Sequence, residues 1–220
     1  MRNRIVAGII GALLLIVAAW LIQRQMGTTI SPGGLLHGVV DVPAVPDRPL
    51  AEIMAEHGWD RVPDVSLLVD KSDHTLALLS AEDVVKTYPI ALGSDSLDDK
   101  RKRDDLLTPE GSFYICQRNL LPAGRRWDCV WLRLSYPDAE DARRGLAEGL
   151  ITPEQAREIE RAIAAHETPL QDTDLGSGIG IHAGGVRPRN WTGGCIALQE
   201  RHAYEIYRQT RLGTTVVIRK

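Results

Sequence analysis

Apolar and polar residues along this chain follow three different rhythms. The first is unbroken: residues 5–22 (IVAGIIGALLLIVAAWLI) are all apolar or glycine. As a helix rising 1.5 Å per residue, such a run covers about 27 Å, close to the ~30 Å hydrocarbon core of a bilayer and longer than the roughly 7–15 apolar residues usual in a signal peptide. Arg2 and Arg4 precede it and Gln23-Arg24-Gln25 stops it. The positive-inside rule then keeps the two arginines in the cytoplasm and sends the rest of the chain across the membrane. Residues 1–25 are expected to be a retained signal anchor, with cleavage after Ala18-Ala19 as the alternative.

Residues 26–63 have no sustained period. The stretch SPGGLLHGVVDVPAVPDRP is rich in Gly, Pro and Val and reads as a spacer. It is followed by a short helix around Leu50 to Gly58 (LAEIMAEHG), where the Gly suits a C-terminal cap.

The second rhythm, a period near two, opens the folded domain near Val62; its bounds are set at 64–220. Short strands are expected at Val65–Val69, Thr75–Leu79, Val84–Leu92, Gly111–Gln117 and Val130–Ser135, each broken by Asp, Ser, Gly or Pro. The third rhythm is helical. Between Asp138 and His166, Thr152 reads as an N-cap with Pro153 in the first turn, and Ala156, Ile159, Ile163 and Ala164 recur at helical spacing. This is a helical insertion laid on a β-rich core. The strand pattern returns at Gly178–His182, a helix is expected from about Glu200 to Arg211, and Thr214–Arg219 closes the sheet. No internal repeat appears. The class is mainly β (α+β).

Composition narrows the function. A chain of 220 residues with 44% hydrophobic content supports one core plus an appendage. A net charge of −3 lacks the basic footprint that nucleic-acid binding requires, so no nucleic-acid partner is expected. The basic run Lys100–Arg103 lies between two Asp pairs and reads as a solvated loop. Three cysteines leave an odd thiol: Cys116 and Cys129 stand in strand-like stretches either side of a turn-rich segment and suit a disulfide, with three unpaired thiols as the alternative.

The chemistry concentrates in Ile179–Leu198, IGIHAGGVRPRNWTGGCIAL. A His ends an apolar strand, a Gly-, Pro- and Arg-containing loop follows, and Thr192-Gly193-Gly194-Cys195 leads toward a helix. A thiol is a nucleophile only as the thiolate, so a catalytic Cys needs a base or a helix N-terminal field. His182 is placed to be that base. Gly193 and Gly194 let the backbone turn tightly before the Cys, and their N–H groups with that of Cys195 are candidates to stabilise an oxyanion, at about 3 kcal/mol per donor.

This segment resembles the active-site motif of the L,D-transpeptidase family, the YkuD-type catalytic domain: a strand-ending His-Gly, a loop, then Ser/Thr-x-Gly-Cys and an apolar residue. The likeness extends through Val65–Leu92 with Gly93, the Thr108-Pro109-Glu110-Gly111 turn, and the closing strand Gly213–Ile218. Leu134-Ser135-Tyr136-Pro137 with Asp141-Ala142 is similar to the YafK-type branch. The resemblance implies a YkuD-type β-sandwich with the helical insertion, in the periplasm of a bacterium and tethered to its inner membrane. It implies that Cys195 attacks the carbonyl of the third residue of a peptidoglycan stem peptide to form a thioester. His182 relays the proton, Ala183 orients the imidazole through its main chain, and no metal or organic cofactor is needed. It also implies roles for Thr192 and Gly194 at the motif's Ser/Thr and Gly positions. Gly193 and Ala197 stand where many members have His and Arg or Asn, which leaves the acceptor open: a stem-peptide amine, a lipoprotein lysine, or water. An inactive wall-binding module is the reading outside catalysis.

Substrate contacts are expected from Thr192, Trp191, Arg187 and Arg189, the arginines toward stem-peptide carboxylates. Trp127, Trp131, Tyr204 and Tyr207 read as packing. A zinc site from His182, Cys195 and His202 lacks a usual spacing and a fourth ligand. A Cys195–His182 pair predicts a bell-shaped rate profile against pH.

Overall fold

The computed structural model describes residues 47–94, 96–120, 130–187 and 189–220. The expected anchor, most of the spacer, Trp127 and Cys129 lie outside them, and no helix among the described residues is long and apolar enough to cross a membrane.

Helix α1 (Leu50–His57) stops at Gly58, whose φ of 68° is the left-handed conformation that glycine adopts cheaply. Leu50 and Val62 are buried in the main core, with Met54 and Trp59 packed on it. The short helix counted with the linker is therefore part of the packed domain.

Strands β1 (Val65–Asp70), β2 (Thr75–Ser80) and β3 (Asp83–Pro89) form an antiparallel meander. The last strand, β8 (Thr215–Arg219), lies parallel to β1 and antiparallel to the first half of β4 (Gly111–Leu120). The second half of β4 pairs with β5 (Val130–Leu134), which pairs with β6 (Gly180–Ala183). Strand β7 (Ile196–Leu198) runs parallel to β6. The order is β3-β2-β1-β8-β4-β5-β6-β7 in one eight-stranded sheet.

Two features turn that sheet into a nearly closed barrel in place of the expected sandwich. Strand β4 is long enough to pair with β8 and then, past a register shift between Ile115 and Gln117, with β5, and such a shift bends a strand and increases its twist. The chain leaving β3 then meets the opposite edge: Ala91 and Ala197 exchange both backbone hydrogen bonds, at 2.9 and 2.8 Å. Leu67, Val69, Leu76, Leu132, Leu134, Ile181, Ile196 and Val216 fill the interior, at about 1.5–3 kcal/mol for each large side chain fully removed from water.

The insertion is two helices, α2 (Ala139–Ala147) and α3 (Pro153–Ala164), each opened by a reciprocal capping box: Asp138 with Asp141, and Thr152 with Gln155. Ala142, Ile151, Ala156, Ile159 and Leu175 make their own small core. The buried face of α3 is Ala156, Ile159 and Ala162, and Ala164 is exposed.

The basic run is an exposed loop at Arg101, Lys102 and Arg103, but not at its first residue. Lys100 is 2% exposed, its Nζ donating to Asp105 Oδ1 at 2.7 Å and to the Lys102 carbonyl at 3.0 Å. Arg103 reaches Asp172 and the Thr173 carbonyl. Lys71, 1% exposed, donates to the Asp98 and Thr108 carbonyls and to Glu110 Oε1. Each ammonium is buried because an acceptor shell was built for it.

Candidate active site

Strands β6 and β7 bring the sequence-predicted pair together. Their parallel register sets Ile181 against Ile196 and His182 against Ala197, and side chains alternate between faces along a strand. Ile181 and Ile196 point into the core, so His182, Ala197 and, one step before β7, Cys195 stand on the opposite face. With strands ~4.8 Å apart and ~3.3 Å per residue, Cys195 and His182 are roughly 8 Å apart at Cα on the same face. The segment after Cys195 is thus a strand and not the expected helix; helix α4 (Glu200–Gln209) starts five residues later.

His182 is 6% exposed and Nδ1 lies 2.6 Å from the Ala183 carbonyl. A carbonyl can only accept, so Nδ1 carries the proton and the lone pair of the neutral ring is on Nε2. The Ala183 carbonyl thus fixes the orientation of the ring. Trp131 stacks on the imidazole at 6.1 Å and Trp191 meets it edge-on at 5.8 Å between centroids. Trp131, expected as core, is therefore a wall of the site.

The turn before the thiol has a definite construction. Thr192 Oγ1 accepts the Gly194 N–H at 3.1 Å and donates to the Cys195 carbonyl at 2.7 Å. Thr192 is thus a brace within the turn. Gly194's N–H is directed at that hydroxyl, which removes it from the expected set of oxyanion donors. The two glycines also differ in need. Gly194 has φ +122°, and a Cβ there would stand 2.5 Å from the Leu107 carbonyl oxygen, whereas Gly193 has open space and no unusual φ. Beneath the turn, the Leu92 carbonyl takes the N–H groups of Trp191 and Thr192, and Asn190 Oδ1 takes that of Leu92.

On the other side of the thiol lies a layer absent from the sequence reading. Cys195 Sγ donates to the Gly178 carbonyl at 3.3 Å. Gly178's N–H donates to Gln171 Oε1, which also takes Arg133 Nη1 at 2.6 Å. Gln171 Nε2 donates to the Tyr136 and Pro169 carbonyls, which fixes the amide's orientation. The alternation of Val130–Leu134 places Trp131 and Arg133 on one face; which strand that face borders depends on a register that no local signal encodes.

The remaining candidates sort by place. Arg187 lies over the Trp191 ring at 4.5 Å, and Trp191 Nε1 donates to the Gly185 carbonyl. Arg187 and Arg189 are exposed on the loop. His202 pairs with Asp47 at 3.0 Å and packs edge-on against Tyr88, so the structure does not join it to Cys195 and His182. Tyr207 on α4 packs against the core and Arg118, as expected. Cys116 is a free thiol. Burial pushes its pKa up, against a Thr168 hydrogen bond and the Arg133 charge, which disfavours its thiolate form.

Residues 64–218 match the family of the YkuD L,D-transpeptidase catalytic domain. No curated protein matches the chain. Among solved structures, an L,D-transpeptidase from Mycobacterium smegmatis is similar with a TM-score of 0.42 and 14% identity, over 71% of this chain and 59% of that one. The helical cell-shape-determining protein Pgp2 from Campylobacter jejuni gives 0.48 and 18%, over 78% and 55%. An L,D-transpeptidase from Xylanimonas cellulosilytica gives 0.43 and 11%, over 78% and 70%. The chain thus spans 59% of the length of the mycobacterial protein.

Proposed function

The chain belongs to the YkuD L,D-transpeptidase catalytic-domain family, and from that premise we propose that it is a peptidoglycan-modifying L,D-transpeptidase whose nucleophile is Cys195. The observation that carries the reading is the β6–β7 register, which sets thiol and imidazole on one face while the Ala183 carbonyl locks the tautomer that leaves Nε2 basic. His182 Nε2 takes the proton from Cys195 Sγ. The thiolate attacks the carbonyl carbon of the third stem residue, an amino acid such as diaminopimelate, and the resulting oxyanion is held by the N–H groups of Cys195 and Gly193. Collapse breaks the bond to D-alanine, whose amine leaves with the proton from the imidazolium. A thioester remains, and an amine or water attacks it with His182 again taking and returning a proton. With an amine the product is a crosslink or an anchored protein; with water it is a trimmed stem.

The finer assignments belong to the same proposal. The likeness of Leu134–Pro137 with Asp141-Ala142 to the YafK-type branch supports membership of that branch, and in this proposal residues 1–25 tether the chain to the bacterial inner membrane with the domain in the periplasm, where it remodels the wall and so affects cell shape. Trp191 and Arg187 line the entrance.

Intact-mass spectrometry tests the reading. Incubation with a carbapenem, and separately with a stem tetrapeptide, is expected to give a covalent adduct and release of D-alanine that both vanish in Cys195→Ala. A folded native protein giving neither adduct nor turnover would leave the inactive wall-binding module as the better account.

A further inference from the structure

We propose that Arg133 is the carboxylate-binding residue of this site, receiving a carboxylate of the stem peptide beside the bond that Cys195 cleaves. The inference rests on the activity proposed above and names the recognition element it lacks.

Arg133 stands on the face that carries the thiol and the imidazole: the β5–β6 register sets Trp131 against His182 and Arg133 against Gly180. Gly180 has no side chain to separate them. A Cβ there would stand 2.8 Å from the Trp131 indole, so the ring lies across the glycine and forms the floor between Arg133 and His182. The guanidinium is held in place by neutral groups alone. Nε donates to Gln117 Oε1 at 2.8 Å and Nη1 to Gln171 Oε1 at 2.6 Å. Among the described residues Nη2 has no hydrogen-bond partner and no carboxylate pairs with Arg133.

Among the described half-buried or buried cations Arg133 shares that lack only with Arg118, which lies over the Tyr207 ring and donates to the Tyr207 carbonyl. Lys71 pairs with Glu110, Lys86 with Asp47 and Glu205, Lys100 with Asp105, and Arg144 with Asp141. A partly desolvated charge without a counter-ion is costly, and one held rigid by two amides presents its remaining N–H groups in the planar fork that suits a carboxylate. Position completes the case. Gln171 Oε1 joins Arg133 directly to Gly178, whose carbonyl receives the Cys195 thiol. An anion on the guanidinium therefore lies within one side chain's reach of the reacting carbonyl. Arg187 and Arg189, the arginines that the sequence offers for this role, are exposed, and Arg187 is engaged with Trp191.

Two carboxylates flank that carbonyl: the terminal one on D-alanine and the side-chain one on diaminopimelate. Acylation of the full-length protein in mild detergent is followed by D-alanine release with three tetrapeptides: unmodified, ending in D-alaninamide, and amidated on the diaminopimelate side chain. Native protein is compared with Arg133→Gln and Arg133→Lys, and iodoacetamide, which carries no charge, reports the thiol itself. The expected result is a tenfold or greater loss of kcat/KM for the unmodified peptide in Arg133→Gln, chiefly in KM, with partial recovery in Arg133→Lys. The peptide lacking the bound carboxylate should already be poor with native protein and lose no more in the variant, which identifies the carboxylate. Iodoacetamide rates should stay within twofold. Equal losses on all three peptides, no loss on any, or a matching fall in alkylation overturns the proposal. If native protein is acylated by none of them, the proposed activity itself fails.

Discussion

Gly194 is caught between two constraints: a backbone angle that L side chains rarely adopt, and the Leu107 carbonyl pressed where a Cβ would be. Gly194→Ala therefore has to move backbone on one side or the other, and a cost of about 3 kcal/mol is expected from strain and clash together. Gly193→Ala meets neither constraint, and its stability should lie within about 0.5 kcal/mol of native. Urea unfolding of both variants separates the two glycines; equal losses would refute the distinction. Thr192 can be tested in the same way. Thr192→Val removes both bonds of the turn brace and leaves the Gly194 N–H without an acceptor, for about 1–3 kcal/mol and an expected tenfold fall in acylation, whereas Thr192→Ser keeps the hydroxyl and should restore the rate. A Ser variant as slow as Val would show that the methyl, not the hydroxyl, matters. The places of Cys195, His182 and Ala183 beside one another were legible in the sequence because the motif is local. Those of Gln171, Gly178 and Arg133 were not, because each acts through partners 7 to 38 residues away in the chain.

At the scale of elements, the segment from residue 98 to residue 110 supports the site turn through its carbonyls. Leu106 and Leu107 present them to Gly93 and Gly194, and Asp105 organises the bend that aims them. Burial pushes the Asp105 carboxyl up, but the Lys100 ammonium and the N–H groups of Lys102, Arg101 and Leu107 outweigh it and hold the group below the usual carboxylate range. A depressed carboxyl contributes stability that is present above its unfolded value of about 3.9 and is lost as pH falls through the lower folded value. Thermal melts of native protein and Asp105→Asn should differ by a constant amount from pH 5 to 8, and the difference should shrink progressively as pH falls below about 4. A difference that does not shrink at all below that pH would mean that hydrogen bonding, not charge, holds the bend. Strand and helix identities were mostly readable because period and caps are written locally, as in Thr152-Pro153 and Gly58. The burial of Lys100 was not: composition marks Lys100–Arg103 as a solvated run, and only the fold reveals that Asp105 folds back over the first lysine.

Over the whole molecule, the site depends on two ends of one sheet meeting. The β3 exit supplies Ala91, Leu92 and Gly93, and the far edge supplies Ala197 and the turn that carries Cys195. Their junction is short. Two reciprocal bonds join Ala91 to Ala197, and the Leu92 carbonyl and N–H add the bonds to Trp191, Thr192 and Asn190. The strands that flank it, β5 and β6, are instead paired along their length and seated over Leu132 and Ile181, which are fully buried. Local opening is favoured where few bonds hold and little apolar surface is lost, so the seam should open without the core. Native-state hydrogen exchange is expected to show the amides of Ala91, Trp191, Thr192 and Ala197 exchanging together, at least tenfold faster than those of Leu132 and Ile181. An acyl group on Cys195 that contacts both edges should slow the seam amides and leave the core amides unchanged, since a ligand stabilises only the state that it binds. If seam and core exchange at one rate, the barrel opens only by unfolding globally, and the thiol is presented to substrate on a rigid edge.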